Sequence, residues 1–265
     1  MEELFKTIIL GIIQGLTEFL PVSSTGHLLL GRKLFGLSEA GLFLDTMLHF
    51  GTLISIIIVF YAEIVYLIKN PFSKLTKLIV IGTIPTAFIG LYFEDFFEEI
   101  SISGATVGWE FLVTGIILWL ADRYKEKGYK SIDKISYKDT LIIGALQGAA
   151  ILPAISRSGL TIAGALFRGI ERADAARFSF LISLPAILGA VVLQSAKLYS
   201  GEQAASLEAI GLIPLIVATL ASAITGYFAI RWMLKILKNG SLKIFSYYVW
   251  ALGIIVLAFQ FAGKW

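Results

Sequence analysis

Positions 20–30 of the chain read LPVSSTGHLLL, and positions 152–164 read LPAISRSGLTIAG. The first stretch carries Ser23, Ser24, Thr25 and His27; the second carries Ser156, Arg157, Ser158 and Thr161. Just upstream, Gln14 and Glu18 are four residues apart and share one face of a helix. A guanidinium, a carboxylate, an imidazole and a set of hydroxyls are the parts of a phosphate-handling site. Phosphoryl transfer needs neutralised charge, an oriented nucleophile and a proton carrier. Arg157 supplies a planar fork matched to phosphate oxygens. Ser24 or a water is the expected nucleophile. His27 titrates near neutrality when unperturbed and is the expected acid/base. Glu18 either orients His27 or holds a divalent cation, and spacing does not separate those roles. The second histidine, His49, has no hydroxyl cluster beside it and reads as a packing or hydrogen-bonding residue. Asp45 and Glu110 read as carboxylates reaching for the membrane interface, and the Trp and Tyr residues near span ends as an interfacial belt.

The elements that must position these residues are apolar. The 265-residue chain is 57% hydrophobic and 15% charged, where a soluble domain carries about a quarter charged residues. This composition predicts an all-α polytopic membrane protein, because the apolar runs are too continuous for barrel strands. Cysteine is absent, which excludes disulfides, haem thioether links and zinc–thiolate sites. A net charge of +3 is no nucleic-acid footprint. Residues 1–20 lack the pattern of a cleaved signal peptide.

Six stretches are long enough to cross fully: 42–62, 75–92, 104–121, 175–197, 209–231 and 243–262. Two others, 4–30 and 140–167, are interrupted by proline, serine and glycine. Proline removes a helical hydrogen bond and clashes with the preceding turn, so each is expected to break and restart. The first restart falls near Ser23 or Ser24, with hydroxyls as caps. Both restarts aim helix N-termini inward, where free N–H groups favour an anion. Arg157 at membrane depth is costly and therefore a functional residue by default.

The interrupted stretches match at an offset of 133 residues: Gly11, Gln14, Gly15, Ser23, Gly26 and Gly31 meet Gly144, Gln147, Gly148, Ser156, Gly159 and Gly164. IGTIP at 81–85 and IGLIP at 210–214 form a second echo. The expected plan is one membrane domain, 1–265, built from repeats of about 1–121 and 138–265. If each broken segment enters and leaves on one side, three crossings per half invert the second copy. On that topology one membrane face holds 16 of the 22 Lys and Arg residues, the other holds five, and Arg157 lies between. The basic face is expected in the cytoplasm, with both termini outside.

With these residues in place, the chain resembles the undecaprenyl-diphosphate phosphatase family of the BacA/UppP type. QGLTEFLPVSSTGH (14–27) looks like its (E/Q)xxxE segment followed by PVSSTGH, and LPAISRSGLTIAG looks like its PGxSRSxxT segment. RADAARFSFLISLP (172–185) and GTIPTAFIG (82–90) are similar as well. The resemblance runs essentially end to end. It implies an inner-membrane hydrolase that converts a C55 polyprenyl diphosphate to the monophosphate carrier for cell-wall polymers. It also implies a divalent cation, Mg²⁺ or Ca²⁺, with Glu18 as its ligand, and an active site open to the outer face. Glu18, Ser24, His27 and Arg157 match the family's catalytic set. Gln14, Ser23, Thr25, Ser156, Ser158 and Thr161 match its supporting polar residues. The lipid and the bilayer are the expected partners, with a second copy of the chain to form a homodimer. Two departures stand out: Gln14 where many members have Glu, and Ala154 in place of Gly. Alanine would be strained there if the backbone needs φ > 0. The competing expectation is a lipid-phosphate flippase or anion transporter, since inverted repeats support alternating access.

Overall fold

The computed structural model describes residues 2–37, 41–124, 128–201 and 210–265. Position 209, at the start of one expected span, and Lys125 and Lys127 of the basic face lie outside them. Twelve α-helices cover the described residues: α1 (Glu2–Phe19), α2 (Ser24–Phe35), α3 (Gly41–Val59), α4 (Tyr61–Lys69), α5 (Lys74–Tyr92), α6 (Glu94–Ser103), α7 (Val107–Asp122), α8 (Tyr137–Ala149), α9 (Arg157–Phe167), α10 (Arg172–Tyr199), α11 (Leu212–Asn239) and α12 (Lys243–Phe261).

Both interrupted stretches break where proline and serine place the break. In the first, α1 stops at Phe19 and α2 restarts at Ser24; in the second, α8 stops at Ala149 and α9 restarts at Arg157. The repeated glycines do the same work in each half. A Cβ at Gly11 would run into the Ala218 carbonyl of α11, and one at Gly144 into the Gly82 carbonyl of α5. So α1 lies tightly along α11 and α8 along α5. The other long pairings, α7 with α12 and α3 with both α10 and α11, also join the first half of the chain to the second. The IGTIP and IGLIP echo does not share a structure: Gly82 lies inside α5, whereas Gly211 precedes α11 with φ +81°.

Among the described residues four helices are long and apolar enough to cross a membrane: Lys74–Tyr92, Arg172–Tyr199, Leu212–Lys238 and Lys243–Phe261. A fifth candidate, the expected span 42–62, is a bent pair, Phe43–Val59 and Tyr61–Lys69, turned by 83°. The turn falls at Phe60, whose ring is buried against Phe180. The expected span 104–121 forms α7, whose 16 residues fall short of the usual spanning length of about 20. The acidic stretch between the second and third expected spans forms a helix, α6.

At the start of α8, Asp139 is fully buried and closes a capping box with Ser136. Its carboxylate also accepts from Arg168 Nε at 2.7 Å and from Lys130 Nζ at 3.0 Å. Burial alone would raise its pKa, but the bonds from Ser136, Arg168 and Lys130 outweigh burial and hold it well below the usual carboxylate range. A depressed folded-state value means that the stabilisation is complete above the unfolded value of about 3.9 and fades as pH falls below it. Asp139→Asn is therefore expected to cost about 1.5–3 kcal/mol at neutral pH, because the half-buried Lys130 and Arg168 lose the charged acceptor of their hydrogen bonds. Thermal melting in detergent checks this: the variant's midpoint should drop at pH 7, and a midpoint equal to wild type refutes it.

Candidate active site

Ser24 and Arg157 are 133 residues apart and each is the first residue of a restarted helix. Both reach the same carboxylate. The Ser24 hydroxyl donates to Glu18 Oε2 at 2.6 Å, and the Arg157 guanidinium pairs with Glu18 Oε1. Gln14 Nε2 donates to Oε2 at 3.0 Å, one helical turn back on α1. His49 Nε2, from α3, lies 3.3 Å from that oxygen. Its other nitrogen sits 2.7 Å from the Asp45 carbonyl oxygen. Glu18 is 4% exposed, so three donors, from Gln14, Ser24 and Arg157, and a low dielectric surround one buried charge, with the His49 ring beside it. A buried charge is tolerated when it is paired and hydrogen-bonded.

Reciprocal bonds hold the two breaks together. Ser23 Oγ donates to the Pro153 carbonyl at 2.7 Å, and Ser158 Oγ donates to the Leu20 carbonyl at 3.0 Å. Ser23 and Ser156 each cap their helix by accepting from the third backbone N–H, that of Gly26 or Gly159. Each cap satisfies one of the first-turn donors, leaving others without an intrahelical partner. From α7, Glu110 accepts from Ala154 N at 2.6 Å and Thr114 donates to the Ala154 carbonyl at 3.1 Å. Glu110 thus anchors the second break rather than reaching for the interface. Asp45 likewise is buried and pairs with Arg32 at 3.1 Å.

The strained backbone position is not Ala154. Among the described residues the one non-glycine with positive φ is Ser23, at +67°. Such a residue stores about 1–3 kcal/mol and persists only where its surroundings over-determine it. Here Ser23 is held by its two side-chain bonds, at the hinge that turns α2 toward Glu18.

The sequence singled out Gln14, Glu18, Ser24 and Arg157, and the fold joins all four. Ser23, Ser156 and Ser158 build the loops around them. The Thr25 hydroxyl has no hydrogen-bond partner among the described residues and is half-buried. Thr161 turns away, bonding the Arg157 carbonyl at 2.8 Å and Ser179 Oγ at 2.6 Å. Glu18 does not orient His27: its oxygens accept from Gln14, Ser24 and Arg157. The His27 ring instead sits between Phe111, edge-on, and Tyr248. Its Nδ1 is 2.6 Å from the Ser23 carbonyl and its Nε2 is 2.7 Å from the Tyr248 hydroxyl. The imidazole beside Glu18 is that of His49, which the sequence read as a packing or hydrogen-bonding residue rather than part of the site.

The surroundings of Glu18 do not fit a protein-held divalent cation. Its carboxylate faces N–H and O–H donors and is already neutralised by Arg157. Gln14 Oε1 is a buried acceptor without a partner, but one amide oxygen and one paired carboxylate fall short of a hard cation's ligand set. Among the described residues no group of three His, Asp or Glu could hold a metal.

An all-helical integral membrane protein with a buried carboxylate, guanidinium and serine at the meeting point of two broken helices is the class that fold and site define. Within that class the chain belongs to the family described as bacitracin resistance protein BacA, whose profile matches residues 7–255. It is similar to undecaprenyl-diphosphatase 4 of Bacillus thuringiensis strain Al Hakam, 59% identical over 256 residues and 97% of each chain. It is also similar to the undecaprenyl-diphosphatase of Carboxydothermus hydrogenoformans, 54% identical over 260 residues and 98% of each. A further relative is the undecaprenyl-diphosphatase of Halothermothrix orenii, 44% identical over 257 residues.

Proposed function

We propose that the chain hydrolyses the terminal phosphoanhydride of undecaprenyl diphosphate, giving the lipid monophosphate and inorganic phosphate. The observation that carries this reading is the convergence of Ser24 and Arg157 on Glu18. A serine hydroxyl 2.6 Å from a buried carboxylate is aimed to lose its proton there. The N-termini of α2 and α9 and the Arg157 fork bind the phosphate and neutralise its charge. Ser24 Oγ attacks the terminal phosphorus as the bond to the bridging oxygen breaks. Glu18 takes the serine proton, and His27 Nε2 gives one to the departing lipid phosphate. Water then attacks the phosphoserine and returns a proton to His27, while Glu18 returns its proton to Ser24. Thr25 is free to meet a phosphate oxygen, and His49 holds Glu18 from the α3 side.

The same reading includes the inverted repeat. The matched glycines and the exchange of α1–α11 for α8–α5 support it, and the two broken pairs would then be re-entrant hairpins. The uneven distribution of Lys and Arg supports an inner-membrane protein with its basic face in the cytoplasm and its site open outward. The product is then recycled as carrier for cell-wall polymers, and a homodimer is its expected assembly.

Purified protein in detergent should release phosphate from undecaprenyl diphosphate with Mg²⁺ or Ca²⁺ added, and Arg157→Ala should not. If wild type is as silent as that variant across metals and prenyl lengths, the enzyme reading falls. Lipid flux across vesicles without phosphate release would favour the transporter instead.

A further inference from the structure

His27 has one nitrogen fixed and one free to work. Its Nδ1 lies 2.6 Å from the Ser23 carbonyl, which can only accept, so Nδ1 carries a proton. Nε2 is then the nitrogen that exchanges protons. In the neutral ring Nε2 needs a donor, and the Tyr248 hydroxyl lies 2.7 Å away. When Nε2 is protonated it needs an acceptor, and the same phenol oxygen can turn to accept. The rings lie 9° from parallel with centroids 5.6 Å apart, and Phe111 closes the other side edge-on. Tyr248 sits on α12, 221 residues from His27 in sequence.

We propose that Tyr248 is the positioning residue of His27, its hydroxyl holding Nε2 in place in both protonation states by rotating rather than by losing its proton. The inference rests on the hydrolase reading and on His27 as its proton carrier. Other charged groups near the ring are turned elsewhere. Glu110 on α7 faces Ala154 N and Thr106, while Glu18 on α1 and Arg157 on α9 face each other.

The direction of the effect follows from bond strength. A hydrogen bond from a charged imidazolium is about twice as strong as one between neutral groups. Tyr248 therefore favours the protonated ring, which is the form that serves the leaving group. Removing the hydroxyl should pull the alkaline limb of the pH–rate profile to lower pH.

The test is the pH profile of phosphate release by wild type, Tyr248→Phe and Tyr248→Leu, each checked for folding by melting. Tyr248→Phe keeps the ring and loses only the hydroxyl. We expect its kcat to fall about threefold at pH 6 and about tenfold at pH 8, with KM within about twofold, the scale of a weakened acid/base contribution. Tyr248→Leu should behave like Phe or worse. A Phe profile superimposable on wild type, with or without a defect in Leu, overturns the inference: the ring would then matter only as packing. An inactive wild type overturns the function reading beneath it, whereas an active wild type with an unchanged Phe variant overturns this inference alone.

Discussion

Arg157→Ala is expected to lower kcat/KM for phosphate release at least about a thousandfold, the low end of what a transition-state arginine contributes. That factor is about 4 kcal/mol of lost transition-state stabilisation. Arg157 has two duties at one place. It begins α9, and its guanidinium neutralises Glu18, whose side chain is 2% exposed and also holds the first residue of α2, Ser24. Alanine removes the phosphate clamp and also leaves a buried carboxylate without its strongest partner. The second effect costs stability, about 3–5 kcal/mol for a broken buried pair. Two further variants separate the effects. Arg157→Lys keeps a point charge but not the planar fork, and should fold while recovering only part of the rate. Arg157→Ala combined with Glu18→Gln removes both charges, so it should melt higher than Arg157→Ala alone and still release no phosphate. A kcat/KM for Arg157→Ala within tenfold of wild type would show that the guanidinium does not meet the reacting phosphate.

How much of this could be read from the chain depends on whether the signal was local. The breaks were legible because proline, glycine and serine act on the backbone within a turn, and the caps at Ser23 and Ser156 follow from the same local rule. The glycine echo was legible in the sequence, though its purpose, letting α1 approach α11 and α8 approach α5, needed the partners in view. What stayed hidden was long-range. His49 comes to Glu18 because α3 packs on α1, and nothing near position 49 reports it. Tyr248 sits among apolar and aromatic residues of a spanning helix, where a lipid-facing tyrosine and one bonded to His27 read alike. Glu110 near a helix start looked like a residue bound for the interface, yet the fold places it 5% exposed against a loop from the other half. The expected tie from Glu18 to His27 failed for a related reason: both belong to one motif, but the turn at Ser23 swings His27 toward α12 and leaves Ser24 facing Glu18.

That geometry makes Glu18→Gln the sharper test of mechanism. The substitution keeps the shape of the side chain, and its one amide oxygen can still accept from Arg157, but the pair loses its negative charge and the amide cannot accept the serine proton. If Glu18 is the base, kcat should fall about 10²–10⁴-fold, the usual range for general acid–base catalysis. KM should change little, since Arg157 and the helix N-termini still bind the diphosphate. Ser24→Ala should produce a comparable loss, because a base without its nucleophile has nothing to activate. The decisive measurement is the double variant. Residues that act as one unit are strongly non-additive, so Glu18→Gln with Ser24→Ala should be no slower than the slower single variant. Multiplying losses would mean that the two residues serve separate steps. A Glu18→Gln enzyme with raised KM and unchanged kcat would make the carboxylate a holder of Arg157 alone, and a water rather than Ser24 would then be the group attacking phosphorus.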